Sequence, residues 1–341
     1  MKSIVYTQTG DPSVLQLVES ELPEPAPGEV RVRIVVSGVN PTDWKARRGS
    51  APGQSLPFPE VVPNLDAGGV VDAVGAGVDG LAVGDRVWTY LASYQRLRGG
   101  TAQEFTVLPA SRVVPLPAGA SFELGASLGV PAMTAHRALT VDEDGPARLS
   151  PGALAGKVVL VAGGAGAVGH AAIQLAKWAG ATVITTVSGQ EKATLVAAAG
   201  ADHVVNYREP GAAEAIRAIA PDGVDVVVEV AAEHNLDLDL AVLRSRGVIV
   251  IYANDGGSGF SLDVRANMGL NARYQFVMVY TVGTVALDAA AADITAAVAD
   301  GAMPVGDDAG LPLHRFPLER TADAHAAVES GVVGKVLVDI S

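Results

Sequence analysis

The chain contains no cysteine. That excludes disulfides, thiolate nucleophiles and every cysteine-ligated zinc site. Aromatic residues amount to only 5%, so the apolar mass is alanine, valine, leucine and isoleucine, the residues that fill parallel sheets and their covering helices. No stretch approaches the roughly 20 uninterrupted apolar residues of a membrane-spanning helix. The start, Met1-Lys2-Ser3-Ile4-Val5-Tyr6, reads as a polar-flanked strand without the long apolar core and cleavage site of a secretory leader. The expectation is a soluble, cytoplasmic protein without membrane insertion. Positive charge is also short: 24 Lys and Arg stand against 37 Asp and Glu, a formal net charge of −13 with no basic cluster. Such a surface repels a phosphate backbone, which argues against nucleic acid as a partner.

What is present is length and rhythm. A chain of 341 residues is long enough for two domains, each with its own core. Residues 29–36 alternate apolar and basic positions, the signature of a half-buried strand. Short strand-like runs at 70–74 and 85–88 follow, separated by Gly, Pro and Asp turns. The first 120 or so residues therefore predict a small antiparallel, barrel-like domain. Beyond Ala120 the pattern becomes helical, and then strands at 157–162, 182–187, 203–205, 224–230 and 248–252 alternate with helices of about ten residues. Alternation of that kind forces right-handed crossovers and a doubly wound parallel sheet, so the fold class is α/β. An alanine-rich helix is expected at about 286–300 and a last strand at 335–340; residues 142–151 read as a surface insertion or linker.

Directly after the strand ending at Ala162 comes Gly163-Gly164-Ala165-Gly166-Ala167-Val168-Gly169, which satisfies Gly-x-Gly-x-x-Gly at Gly164, Gly166 and Gly169. The pattern alone is weak. Its place between a strand and a helix start is what dinucleotide binding needs: glycine lets the backbone approach a pyrophosphate, and the helix start, Ala167 and Val168, offers N–H donors and a favourable dipole. An NAD site usually places a carboxylate about 20 residues on, for the ribose hydroxyls. Here the second strand ends Thr186-Val187-Ser188 with no carboxylate at its tip. A hydroxyl at Ser188 and an ammonium at Lys192 suit a 2′-phosphate instead, which predicts NADPH over NADH. Glu191 beside Lys192 works against an anion, and an ordinary helix lysine is the competing reading. Tyr207 and Arg208, just past the third strand, either pack on the adenine or reach the same phosphate, or else belong to a surface loop.

Taken together these residues resemble the quinone oxidoreductase, zeta-crystallin-like branch of the medium-chain dehydrogenase/reductase superfamily. The resemblance covers almost the whole chain; its most specific stretches are residues 38–43, 127–135, 162–179 and 201–207. It implies a GroES-like domain formed by residues 1–125 and 266–341 and a Rossmann NADPH-binding domain at 126–265. In the zinc alcohol dehydrogenases of the superfamily Asn40 would be a cysteine ligand, and Asn64-Leu65-Asp66 would be the Gly-His-Glu that supplies a histidine. Both ligand positions are lost, so the expected enzyme works without metal. His136, His170, His203, His234, His314 and His325 show no close pair with ligand spacing and read as structural or surface residues. Without a Lewis acid to stabilise an alkoxide, substrates reducible without metal are favoured.

The resemblance implies that Asn40 and Asp43 stand beside nicotinamide and substrate. Asn40 would hydrogen-bond a substrate or cofactor oxygen; Asp43 either has a catalytic role with it, chiefly by organising the loop, or makes an Asx-turn or helix cap before Trp44. Tyr252 and Asn254, after the fifth strand, should border the nicotinamide, unless Tyr252 is sheet core. The leading expectation is hydride transfer from NADPH to a small, apolar, electron-poor quinone in an interdomain cleft. The alternative is reduction of an enone or enoyl compound, with Tyr90, Tyr94 or water as proton donor, since Gly49 is followed by Ser50-Ala51 where related enoyl reductases often carry a tyrosine. A lesser alternative is an NADPH-binding protein with little turnover. The acceptor pocket is expected from loops around Trp44, residues 52–59 and residues 274–280; a homodimer or homotetramer is expected from the relatives.

Overall fold

The computed structural model describes residues 1–50, 55–254 and 259–340. Residues 51–54 and 255–258 lie outside the described residues, and with them Ala51 and part of the 52–59 loop. The chain divides into two compact units, residues 1–131 with 312–341, and residues 132–311.

The first unit opens with β1 (Lys2–Val5) and β2 (Gln16–Glu19), an antiparallel pair. The alternation read at 29–36 becomes β3 (Glu29–Val39), in which Val30, Val32, Ile34 and Val36 are buried while Arg33 faces out. After α1 (Pro41–Arg48) come β4 (Asp66–Val74), β5 (Arg86–Thr89), β6 (Phe105–Pro109) and β7 (Val113–Pro115). The helical rhythm past Ala120 is α2 (Phe122–Leu139), broken at Gly129, whose φ of −31° and ψ of −106° are not helical. Pro131 follows within the same break and has no N–H to give to a helical ladder.

The second unit is doubly wound. It contains β8 (Val158–Ala162), α3 (Ala167–Trp178), β9 (Thr182–Val187), α4 (Gln190–Ala198), β10 (His203–Asn206), α5 (Ala212–Ile219), β11 (Val224–Glu229), α6 (Ala232–Val242), β12 (Leu243–Ile251), α7 (Val264–Leu270), β13 (Arg273–Phe276) and α8 (Thr284–Ala299). The six strands pair in parallel in the order β10-β9-β8-β11-β12-β13. Every residue of β11 is buried, as a central parallel strand covered on both faces requires. The direction of winding reverses between β8 and β11, the switch point at which such sheets bind ligands.

The chain then returns to the first unit with β14 (Leu313–Pro317), α9 (Thr321–Glu329) and β15 (Lys335–Asp339). β15 pairs antiparallel with β3, completing a sheet ordered β14-β15-β3-β4-β5-β7 with β6 also on β3. The expected return of the last strand is therefore present, but the expected boundary at residue 266 is corrected. Residues 273–276 extend the parallel sheet through β12, and α8 belongs to the same unit, so the crossing falls at Leu311 and Pro312. The stretch 142–151 is also not a loose linker. Asp142 is buried and accepts from Arg273 at 2.7 Å, while Asp293 accepts the Leu149 N–H at 2.8 Å and pairs with Arg148 and with His136 at 2.8 Å. Among the described residues no helix is long and apolar enough to cross a membrane.

Candidate functional site

In the second unit, the glycines after β8 divide into two kinds. A Cβ on Gly169 would lie 2.5 Å from the Gly163 carbonyl oxygen and 2.7 Å from Gly164 Cα, and one on Gly164 would clash with Thr185 Oγ1. Those two positions are glycine because loop, helix and sheet meet there. At Gly166 the nearest atom to such a Cβ is 3.5 Å away. Gly166 is the N-cap of α3 and offers no side-chain cap, so the first-turn amides, Ala167, Val168 and Gly169, have no intrahelical acceptor. The open side of the loop is thus an uncapped helix start, a ready anion site.

The strands then bring the remaining sequence-predicted residues to the same, carboxyl-terminal edge of the sheet. Ser188 follows β9, and Lys192 lies in the first turn of α4; both are half-buried, and no carboxylate tips β9. Asn206 is in register with Val187, and the Tyr207 N–H donates to the Val187 carbonyl at 3.1 Å, which sets Tyr207 beside the end of β9. Tyr207 is 43% exposed and Arg208 is exposed. Tyr252 is half-buried at the end of β12, its N–H on the Glu229 carbonyl, and Asn254 forms a bridge with Ala231. Sequence reasoning missed a carboxyl pair on this edge. Glu229, the last residue of β11, accepts from Asn235 Nδ2 at 3.0 Å and from the Ala231 N–H, and Asp239 lies buried beside it on α6. Burial, then mutual repulsion, raises the Asp239 carboxyl well above its ordinary range; burial raises Glu229 as well.

In the first unit, Asn40 and Asp43 form the entry to α1. Asn40 is the N-cap, and Asp43, at the third helical position, accepts the Asn40 backbone N–H at 2.7 Å, so the helix-cap role foreseen for Asp43 is realised. Three neighbouring strands bring further charges to this point. Val336 pairs with Val39 across β15 and β3, and Gly38 pairs with Asp66 across β3 and β4. Lys335, Asn40 and Asp66 consequently meet at one level. Lys335 Nζ donates to Asn40 Oδ1 at 2.7 Å, and Asn40 Nδ2 donates to Asp66 Oδ2 at 2.7 Å. Asp66 also accepts the Val130 N–H at 2.9 Å, which the break in α2 frees; a Cβ on Gly129 would overlap the Asp66 carboxylate.

Asn40, Asp43, Asp66 and Lys335 are each 5% exposed or less. Burial, and then the charge of Asp66, pushes the Asp43 carboxyl up to about 8. Burial raises Asp66 to about 6 against the opposing pull of Lys335 and Asn40, and burial lowers the Lys335 ammonium. Behind this cluster runs a neutral chain: His325 Nε2 contacts Asn64 Oδ1 at 2.9 Å, Asn64 Nδ2 donates to Ser37 Oγ at 2.9 Å, and Thr101 donates to the Asp66 carbonyl at 2.9 Å. Burial, then the charge of Arg47, lowers His325 to about 3, which keeps it neutral. Asn64 has a φ of 71°, a left-handed position that asparagine tolerates. Sequence reasoning passed over Lys335 because nothing local marks a lysine at the start of a strand; only the β15–β3 register reveals it.

A parallel sheet with a glycine loop at its switch point, joined to a mixed-sheet unit carrying a buried polar cluster, defines a two-domain dehydrogenase or reductase. The comparisons agree. Residues 26–118 match the alcohol dehydrogenase GroES-like domain and residues 167–293 the zinc-binding dehydrogenase domain. The quinone oxidoreductase of Rattus norvegicus is 31% identical over 99% of this chain and 97% of its own length. A solved NAD-dependent alcohol dehydrogenase superposes with a TM-score of 0.85 at 28% identity, covering 100% of both chains. The Escherichia coli quinone oxidoreductase complexed with NADPH does so with a TM-score of 0.80 at 27% identity, covering 99% of this chain and 100% of that one. The chain belongs to the medium-chain dehydrogenase/reductase superfamily, in its zeta-crystallin-like quinone oxidoreductase branch.

Proposed function

We propose that this protein is an NADPH-dependent reductase that passes a hydride to a quinone or a similar conjugated carbonyl compound, without zinc. The observation that carries the reading is the open, uncapped α3 start at Gly166, flanked by glycines that packing requires. Ala167, Val168 and Gly169 would hold the pyrophosphate through their amides, and Ser188 with Lys192 the 2′-phosphate, at the end of a strand that carries no carboxylate at its tip. Tyr207 and Arg208 would flank the adenosine end, and Tyr252 and Asn254 the nicotinamide. When bound, the cofactor supplies the hydride from its nicotinamide C4. Asn40 would donate an N–H to the acceptor oxygen as negative charge grows there, and Asp43 holds the loop from which Asn40 projects.

Zinc does not fit the residues present. The cysteine position of the zinc enzymes is an amide whose oxygen already accepts from the Lys335 ammonium, and Leu65 offers no donor where they have histidine. A dication placed beside that ammonium would be repelled. Among the described residues no group of three or more His, Cys, Asp or Glu has metal-holding geometry.

The test is NADPH oxidation followed by absorbance against a quinone, an enone and an enoyl thioester, with NADH in parallel. Quinone turnover with NADPH preferred is the expected result. Turnover of the conjugated alkenes alone would move the activity to carbon–carbon double-bond reduction, and silence with all three overturns the reading.

A further inference from the structure

Lys335 is almost completely buried, 1% exposed, yet it is far from the glycine loop in sequence and no motif announces it. Its stem runs over Gly38, where a Cβ would come within 3.1 Å of Lys335 Cε. A lysine buried in this way loses the hydration of its ammonium and must recover it from partners. The hydrogen bond it makes is to Asn40 Oδ1 at 2.7 Å. An ammonium only donates, and an ionised carboxylate only accepts. With Lys335 on one side and Asp66 on the other, the Asn40 amide has a single satisfiable orientation: oxygen toward β15, nitrogen toward β4. A free asparagine can turn its amide over and present either group.

We infer that Lys335 is a positioning residue that locks the Asn40 amide so that its N–H pair, never its oxygen, serves Asp66 and the acceptor. The consequence for turnover rests on the proposed function, whereas the lock itself does not. An amide turned over would set an oxygen against the developing oxyanion and repel it. The cluster thus does with a protein ammonium what a metal would do otherwise: it fixes the polarity of the groups around the acceptor oxygen.

The experiment uses the full chain with Lys335→Met, which keeps length and removes the donor. The double variant Lys335→Met/Asp66→Asn, which removes one charge of each sign, serves if the single one does not fold. Protein labelled with ¹⁵N-asparagine reports the Asn40 side-chain NH₂ signals, assigned by their loss in Asn40→Ala. In the parent those two protons should be sharp, well separated and slow to exchange; without the ammonium they should shift and broaden, in a chain whose other amide signals stay in place. An Asn40 signal unchanged in a folded Lys335 variant overturns the inference, whatever the enzyme reduces.

The kinetic arm is a double-mutant cycle on quinone kcat. Lys335→Met and Asn40→Ala should each lower it by about 10²-fold, the loss on removing one aligned donor. Together they should lower it no further than Asn40→Ala alone. Losses that multiply would overturn the inference, because Lys335 would then act independently of Asn40. A parent that reduces no acceptor sinks the functional reading instead and leaves the amide signals to decide the lock.

Discussion

Two glycines three residues apart in one loop should fail in opposite ways when each gains a methyl group. At Gly169 the added Cβ meets backbone, Gly163 O at 2.5 Å and Gly164 Cα at 2.7 Å, so no rotamer change relieves it. Overpacking of this kind costs about 1–3 kcal/mol. For a unit of the size of residues 132–311, each kcal/mol lowers Tm by about 2–4 °C, which predicts a fall of about 2–12 °C for Gly169→Ala. At Gly166 the backbone is extended, φ −82° and ψ 162°, and the nearest atom to a Cβ is 3.5 Å away. Alanine fits there, and stability should fall only by the cost of alanine for glycine at an N-cap, about 0.5–1 kcal/mol. The methyl group would, however, stand where the proposed function brings a pyrophosphate. Losing one charge-assisted backbone bond costs about 1.5–3 kcal/mol, so NADPH Kd should rise about 10- to 100-fold. Calorimetric melting and a fluorescence titration with NADPH read both quantities. Should Gly166→Ala bind NADPH as tightly as the parent, or melt as low as Gly169→Ala, the division of this loop into packing and binding glycines is wrong.

Lys192→Ala should weaken NADPH binding by about tenfold or more and leave NADH nearly untouched, because only the former carries the phosphate that an ammonium there would meet; equal losses for both cofactors would remove Lys192 from the 2′-phosphate site. Asp239→Asn tests the buried carboxyl pair. A carboxyl whose pKa is raised on folding is protonated in the native chain while the unfolded chain is ionised, so stability falls as pH rises from the ordinary carboxylate range toward the raised value. Each proton so held contributes a slope of about 1.4 kcal/mol per pH unit. Removing Asp239 should take one proton out of that slope and stabilise the chain at neutral pH, leaving the parts that Asp43, Asp66 and Glu229 contribute. Denaturant titrations at a series of pH values that show the parent's full slope in the variant would refute this.

The strands and helices were legible because their burial is periodic. Residues 29–36 alternate and become β3; the continuous apolar runs at 157–162 and 224–230 become β8 and β11, covered on both faces. The glycine loop was legible because its spacing and its place between strand and helix are both local. The domain boundary near residue 266 was misplaced because β13 is only four residues long and half-exposed at the edge of its sheet, so its pattern carries little periodic signal. The role of Asp43 was open between cap and catalyst; its carboxylate accepts the Asn40 N–H, a bond between residues three apart that the residue types at 40 and 43 already allowed.

By itself the sequence determined the fold class, the two-domain plan, the glycine loop between strand and helix and the absence of any cysteine, since each rests on residue type, spacing or absence. Tertiary structure alone decided that Lys335 meets Asn40, that Asp66 takes the Val130 N–H at the break in α2, and that Glu229 and Asp239 share a buried site. Those partners are up to 295 residues apart in the chain, and only strand register and the packing of helices on the sheet bring them within hydrogen-bonding or electrostatic reach.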